Sequence, residues 1–242
     1  MLDANSLNAR TSAACQKAHW PTHKAMCLHR REQQQRFRDL DNKAPQGSSS
    51  SESSSPRILP SELHAELRSF TKKFNPAIFQ AAFNCLHLAT HPLTAKDLVV
   101  LVMLDRLPAS ERPPNAKPWS RFKLKFVGPV PATFIAEKVG QGEKFLEMRE
   151  EQERQHLASG YLGTITVCIN AACTGGPVIH NVTCMGFGDY SKQALKIEDN
   201  WQATFDKTIE KMCGRPTEED VESSETNAES TETSETSALV RA

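Results

Sequence analysis

The spacing of apolar residues between positions 60 and 92 predicts two consecutive amphipathic helices. Pro60 and Ser61 suit the first turn of a helix, because the missing N–H of proline costs nothing at that position. We expect Asn75 and Pro76 to begin the second helix, and His91 to end it. The apolar stripe of the first helix comprises Leu63, Leu67, Phe70 and Phe74, and that of the second comprises Ile78, Phe79, Ala82, Phe83 and Leu86.

Two stretches further along have the patterns of a buried and of a half-solvated strand. Residues 98–104 form a continuous, Val-rich apolar run, which is typical of a buried strand. Residues 121–127 alternate between apolar and basic side chains, and Pro129 and Pro131 are expected to end that strand. The side chains predicted to face the core are Phe122, Leu124 and Phe126, and those predicted to form a basic ridge are Arg121, Lys123 and Lys125. The ridge is either a solvated sheet face or a surface for an acidic partner.

The remaining pattern predicts two strands between two helices. Residues 160–170 and 177–186 indicate antiparallel strands, with Ile165, Val167 and Ile169 on the opposite face from Thr164, Thr166 and Cys168. A charged helix is predicted over residues 143–159, and a last helix over residues 191–213. The apolar stripe of that last helix is Ala194, Ile197, Trp201, Phe205, Ile209 and Met212. The predicted fold class is therefore α+β, with an antiparallel sheet of about four strands packed with helices.

Polar and low-complexity stretches divide the chain into segments. Residues 44–56 form a Ser-rich linker, and residues 215–242 form an acidic tail rich in Ser and Thr; neither can bury enough apolar surface to fold alone. Residues 1–8 show no periodicity and are predicted to be disordered. The folded segments are then residues 9–43, which combine a finger-like stretch with a basic helix, and an α+β domain over residues 57–214.

Composition and charge exclude several classes of protein. The 242 residues carry 29 basic and 29 acidic side chains, so no net charge draws the whole chain to nucleic acid or to an anionic membrane. The first ten residues contain no apolar core of a signal peptide, and the longest apolar run is too short to cross a bilayer. Seven scattered cysteines do not indicate a disulfide framework. We expect an intracellular protein with reduced thiols, in the nucleus or the cytoplasm.

The stretch CQKAHWPTHKAMC, residues 15–27, has the strongest chemical signal in the sequence. Cys15, His23 and Cys27 offer the thiolate and imidazole groups that Zn²⁺ prefers, and the last two are one helical turn apart. Pro21 suits the first turn of the short helix that would carry them.

This stretch resembles the C-terminal half of a MYND-type zinc finger over about residues 9–27. The positions that match the family pattern are Ser12, Cys15, Gln16, Trp20, His23, Lys24 and Cys27. The resemblance implies structural Zn²⁺ held by Cys15, His23 and Cys27, and a module that contacts other proteins, often through short Pro-containing peptides. The arrangement is similar to that of fungal proteins in which such a finger precedes a further domain.

The sequence also departs from the family pattern. Arg10 and Thr11 stand where the family has Tyr-Cys, so one ligand is missing, and the earlier Cys pairs are absent. The family binds two interleaved ions, and neither would have its four ligands here. Three interpretations remain: a truncated gene model or isoform, a decayed finger that binds no metal, or a single site closed by Cys15, His19, His23 and Cys27.

The alternatives to an interaction module belong to two other classes. An enzyme would have its site within residues 57–214, near the strands that carry Cys168, Cys173, His180 and Cys184, a set that could also bind a second metal. No catalytic motif is present, and the motifs of SET methyltransferases are missing, so no catalytic residue is assigned. A nucleic-acid adaptor would use the basic ridge and Arg30, Arg31, Arg36 and Arg38, with little aromatic support.

Overall fold

The computed structural model describes residues 31–32, 34–42, 58–112, 115–139, 142–172, 178–189 and 195–215. The chain divides into two compact units. The described part of the first unit contains helix α1, over residues 31–32 and 34–42, and the second unit contains a four-stranded sheet with its helices. The predicted finger, the linker of residues 44–56 and nearly all of the acidic tail lie outside the described residues.

A single long helix, α2, replaces the two helices predicted around Pro76. It runs from Pro60 to Cys85 with Pro76 inside it, so the predicted break is wrong. The two apolar stripes are in phase, and all of their side chains are buried except Phe79, which is half-buried. Burial of this continuous face outweighs the single backbone bond that proline removes, because most helical stability in proteins comes from packing.

The end of α2 also differs from the prediction. Leu88 N–H bonds to Phe83 O at 3.1 Å and His87 N–H to Asn84 O at 3.0 Å, while His87 has a φ of 50°. This is the left-handed C-terminal motif that closes many helices, here without the usual glycine. The helix therefore ends before His91, where the sequence predicted its end.

Four strands form a mixed sheet in the order β2-β1-β3-β4. The strands are β1 (Leu98–Arg106), β2 (Phe122–Pro131), β3 (Gly163–Ala172) and β4 (Val178–Phe187). The α+β class, the strand count and the predicted antiparallel pair β3–β4 are confirmed, and β1 and β2 are antiparallel as well. The central pair β1–β3 is parallel, so the sheet is not antiparallel throughout.

Helices α4 (Ala132–Lys138) and α5 (Gly142–Ala158) lie in the connection from β2 to β3, and the chain passes β1 through them before it enters β3 parallel to β1. The charged helix predicted over residues 143–159 is α5. A short helix α3 (Thr94–Asp97) precedes β1, and the Pro-rich loop after β1 contains two 3₁₀ turns, Ala109–Glu111 and Pro118–Ser120. Among the described helices, none combines the length and apolar character needed to cross a membrane.

The sheet has two faces that are covered in different ways. On the α2 face, Phe70 meets Phe122 of β2 with ring centroids 5.8 Å apart, and Phe83 meets Phe187 of β4 at 6.3 Å. Helix α2 therefore crosses the sheet from one edge strand to the other. The α5 face is covered by α4 and α5 over part of its area, where Val99, Leu101, Cys168, Ile135 and Phe145 form a buried cluster.

The structure corrects the predicted alternation of β2. Leu124 lies opposite Leu104 and Phe126 opposite Met103, so Lys125 is an extra residue in the ladder, a β-bulge. The bulge places Phe126 on the α5 face, opposite to Phe122 and Leu124. The strand also continues through Pro129 and Pro131, because β2 is an edge strand and one side of its backbone needs no ladder partner.

The last helix, α6, spans Trp201–Met212 and is shorter than predicted. Residues 195–200 are not helical; Lys196 O instead accepts a hydrogen bond from Asn84 Nδ2 of α2 at 3.0 Å. Phe205 and Ile209 of the predicted stripe are buried, whereas Ile197 is 62% exposed and Ala194 lies outside the described residues. Residues 201–212 of the predicted stripe are therefore helical, but Met212 at their end is 39% exposed.

Candidate functional site

Polar side chains alternate with apolar ones along the central strand β3 and form a row on its α5 face. The apolar residues Ile165, Val167 and Ile169 face α2 and are fully buried, which confirms the predicted alternation. The polar row consists of Thr164, Thr166, Cys168 and Asn170. Because a buried polar group is costly unless it is paired, the partners of this row determine what it can do.

Helix α5 satisfies the first half of the row. His156 Nδ1 lies 2.7 Å from Thr164 Oγ1, and Arg149 Nε donates to Thr166 Oγ1 at 3.2 Å. Arg149 Nη2 also donates to Ala95 O at 3.0 Å, next to the start of β1. Burial lowers the pKa of Arg149 below its usual value, but the guanidinium remains a bonded cation at neutral pH. This half of the row is an internal brace between α5 and the sheet.

The second half of the row is centred on the amide of Asn170. Its Oδ1 accepts a hydrogen bond from Cys168 Sγ at 3.2 Å and lies 2.8 Å from His180 Nδ1 on β4. Because an amide oxygen only accepts, His180 must carry its proton on Nδ1. The lone pair of the neutral imidazole is then on Nε2, where it is available to a ligand or partner. His180 is partly buried, and burial lowers the pKa of its imidazole.

The cysteines of the two strands are not activated thiols. Cys168 is fully buried, and burial raises the pKa of its thiol to about 12. Burial also raises the pKa of Cys184, although Thr166 and the charge of Arg149 act in the opposite direction. The thiolate is the reactive form of cysteine, and the Cys168 proton is directed at an amide oxygen rather than at an imidazole. The pattern of a cysteine nucleophile is therefore not assembled at Cys168.

The possible second metal site is only partly within the described residues. His180 and Cys184 lie on the same face of β4, as the alternation predicted, since their partners Asn170 and Thr166 belong to the same row. Cys173 lies outside the described residues. Within the described ranges, no three His, Cys, Asp or Glu side chains are grouped closely enough to hold a metal ion. A site that includes Cys173 stays a prediction.

The other candidate residues at the N-terminus also lie largely beyond the described part. Cys15, His23 and Cys27 are outside it, so the zinc site remains a prediction from the resemblance. Of the basic residues predicted for a nucleic-acid adaptor, Arg31, Arg36 and Arg38 lie on α1, where all three are exposed, and Arg30 is not described.

An exposed apolar surface adjoins the open half of the polar row. The register places Phe126, Met103, Asn170 and His180 side by side across all four strands. Phe126 is 44% exposed and Met103 is 38% exposed. The Phe126 ring lies over Gly128, where an added Cβ would be 2.8 Å from Phe126 Cζ. We call these four residues the open row.

Charged groups and a shallow groove border the open row. Lys125 Nζ lies 3.4 Å from Asp105 Oδ1, and Lys123 is opposite Asp105 in the ladder. Between β2 and α6 an open groove of about 310 Å³ is lined by Phe126 and by Gln202, whose Nε2 donates to Val127 O at 3.0 Å. Asp206 also lines this groove, so the surface combines exposed apolar area with both basic and acidic groups.

The predicted basic ridge is divided between the two faces. Arg121 precedes β2 and its Nη1 donates to Glu66 Oε1 at 2.5 Å on the α2 face. Arg106 binds the same carboxylate through Nε at 2.6 Å and Nη2 at 2.9 Å. Lys123 and Lys125 remain by the open row. The three cations therefore do not form one continuous ridge.

Sequence reasoning missed Glu66, Arg149 and Asn170. Glu66 lies three residues after Leu63 and four before Phe70, which places it on the apolar face of α2. That position could have indicated a buried carboxylate. Arg149 is one of many charged residues of α5, and nothing local distinguishes it. Asn170 acquires its role only from the register with His180.

Comparisons with known proteins add no family assignment. Neither a protein-family model, nor a curated protein, nor a solved structure matches the chain.

Proposed function

We propose that the chain is an intracellular protein–protein interaction protein with two binding modules. One module is the MYND-like stretch of residues 9–27, and the other is the open row on the α5 face of the sheet. The observation that carries the second module is the exposed pair Phe126 and Met103, held on a rigid sheet beside a row of satisfied polar groups.

Burial and hydrogen bonding support binding rather than chemistry at the open row. Cys168 and Asn170 are engaged with each other, and the thiol is protonated at neutral pH. What remains accessible is an aromatic ring, a thioether and one imidazole nitrogen. Aromatic and Met side chains are enriched at protein interfaces because they bury much apolar area with adaptable contacts.

The partner that suits this surface is a short segment with apolar side chains next to acidic ones. Lys123 and Lys125 are exposed near Phe126, with Asp105 and Asp206 as the neighbouring carboxylates. An acidic residue beside an apolar anchor would meet a lysine while the anchor covers Phe126. Proline in that segment would lower the entropy lost on binding, as it does for other Pro-containing ligands.

In the N-terminal module, zinc would have a structural role. Cys15, His23 and Cys27 would hold the ion, which would fix the short helix carrying His23 and Cys27 and take no part in a reaction. Three ligands do not close a tetrahedral site, so a fourth group, for which His19 is the candidate within this stretch, must complete it.

A displayed library of 12-residue Pro-containing peptides, screened against the full chain, tests the open row. We expect acidic–apolar peptides to be enriched, and the double variant Phe126→Ser, Met103→Ser to lose their binding at least tenfold. The matched control is Leu162→Ser, which removes a 59% exposed side chain at the opposite end of β3. Enriched peptides that bind both variants equally well would refute the open row as the binding surface.

Metal analysis of the purified full chain tests the N-terminal module separately. One tightly held zinc per chain, lost in Cys27→Ala and in His19→Ala, would indicate the single site with four ligands. Retention in His19→Ala would mean that another group completes the site, and no zinc at all would leave the MYND-like stretch without its structural ion.

A further inference from the structure

A cluster of charged side chains lies on the α2 face, at the end of β1 and the start of β2. Three guanidinium groups, Arg106, Arg112 and Arg121, gather around the carboxylate of Glu66. Arg106 and Arg121 both bond to Glu66, and Arg112 donates from Nε and Nη2 to Leu107 O at 2.8 and 2.6 Å. We call these three residues the arginine cluster.

The arginine cluster has more positive charge and more donors than its partners use. A guanidinium has five N–H groups, and the bonds above leave Arg106 Nη1, Arg112 Nη1 and Arg121 Nη2 without an acceptor among the described residues. The side chains of Arg106 and Arg121 are 18% and 31% exposed. Burial, together with the charges of Arg106 and Arg121, lowers the pKa of Arg112. A further anion would relieve this repulsion.

The path of the chain leads directly from this cluster into an acidic segment. Arg215, the last described residue, donates from Nη2 to Phe122 O at 2.8 Å, and Phe122 follows Arg121 in the sequence. Residues 216–242 contain eight carboxylates and one basic side chain, Arg241. The first four carboxylates are those of Glu218, Glu219, Asp220 and Glu222. They are three to seven residues beyond Arg215, within roughly 25 Å of extended chain.

We infer that the acidic run of residues 217–222 docks in cis on the arginine cluster. The carboxylates would accept the unused guanidinium donors, as charge-assisted hydrogen bonds, and would offset the charge that Glu66 alone does not balance. The loop over residues 107–112 and 115–121, which carries Arg112 and leads to Arg121, would then be held from both sides. This inference concerns the α2 face and does not depend on the open row.

A pair of matched full-length variants tests the inference without changing any residue of the folded domain. The proximal variant removes four charges near the cluster through Glu218→Gln, Glu219→Gln, Asp220→Asn and Glu222→Gln. The distal variant removes four charges further along through Glu225→Gln, Glu229→Gln, Glu232→Gln and Glu235→Gln. The proximal and distal variants have the same net charge, so any effect of net charge alone should be equal in the two proteins.

Amide hydrogen exchange in the loop is the first readout. Leu107 N–H bonds to Arg121 O and Ser120 N–H to Lys117 O, both at 2.9 Å, so these amides report on opening of the loop. We expect exchange at both to be about three to ten times faster in the proximal variant than in the native chain, with the distal variant unchanged. In high salt the native chain should approach the proximal variant, because salt screens the pairing.

Zero-length carbodiimide cross-linking is the second readout. The exposed amine of Lys117 lies in the loop that leads to Arg121 and should be joined to carboxylates of residues 218–222 within one chain, whereas Lys123, on the opposite face, should not. Equal exchange in all three proteins, or cross-links found only between two chains, would overturn docking in cis. Protection of the loop by added inorganic phosphate, with no difference between the variants, would mean that the cluster binds another anion, and would also overturn it.

Discussion

The two faces of the sheet are built from the same strands and yet differ in what covers them. On the α2 face one long helix crosses all the strands, and residues such as Phe70 and Ile165 are completely buried. On the α5 face the cover stops before the open row, where Phe126 and Met103 remain exposed. The comparison teaches that β-strand alternation distributes apolar side chains to both faces, while the helices decide which of them become core and which become surface.

The polar groups follow the same division. Glu66, on α2, is almost completely buried and bonds to two arginines, whereas Asp105, by the open row, is exposed and lies 3.4 Å from Lys125. A buried carboxylate with two partners is integral to the fold, and an exposed pair contributes little. Buried ion pairing is therefore found on the α2 face, and exposed apolar area at the open row on the α5 face.

The largest effect on stability is expected when one phenylalanine from each face is replaced by alanine. Phe70→Ala should lower the free energy of unfolding by about 3–5 kcal/mol, because it leaves a cavity against Phe74 and Phe122. Phe126→Ala should cost less than about 1 kcal/mol, because its ring is already 44% exposed. Urea unfolding of both variants measures the difference, and similar losses would show that the open row belongs to the core.

The second comparison uses one carboxylate from each face. Burial alone would raise the pKa of Glu66, but hydrogen bonds from Arg106 and Arg121 bring it below the usual value. Glu66→Gln should therefore lower the free energy of unfolding by about 2–3 kcal/mol, since it weakens two charge-assisted interactions. Asp105→Asn is the matched control and should be close to neutral. A neutral Glu66→Gln variant would contradict the integral role of this carboxylate.

The smallest effect is expected for the loss of stability in acid when one histidine from each face is replaced by glutamine. Burial, with a contribution from Arg68, lowers the pKa of His64 on α2 to about 4. The unfolded chain takes up a proton near pH 6.5 while the folded chain does not, so stability falls as the pH drops from about 6.5 to about 4. His64→Gln should therefore remove a large part of the dependence of the free energy of unfolding on pH, as measured by urea unfolding between pH 4.5 and 7.

His180→Gln is the matched variant on the α5 face. Burial lowers the pKa of His180 as well, so its contribution has the same sign, but its more open position should make the change in slope smaller. An unchanged slope in both variants would locate the acid sensitivity in other groups.

Local patterns predicted much of the fold but little of the candidate site. The alternation of β3, the apolar run of β1 and the charged helix α5 were all readable, because their periodicity depends on neighbours in the sequence. The bulge at Lys125 was not readable, since it depends on how β2 aligns with β1, and it changes the face on which Phe126 lies. The open row is therefore a product of register.

The sequence by itself determined the α+β class, the four strands, the alternation of β3 and the unequal distribution of charge along the chain. Only the tertiary structure decided that Pro76 lies inside α2, that β1 and β3 are parallel, and that Glu66 binds Arg106 and Arg121 across 40 and 55 residues. The physical reason is range: propensity and periodicity act over a few residues, whereas burial and ion pairing join groups that only the folded chain brings together.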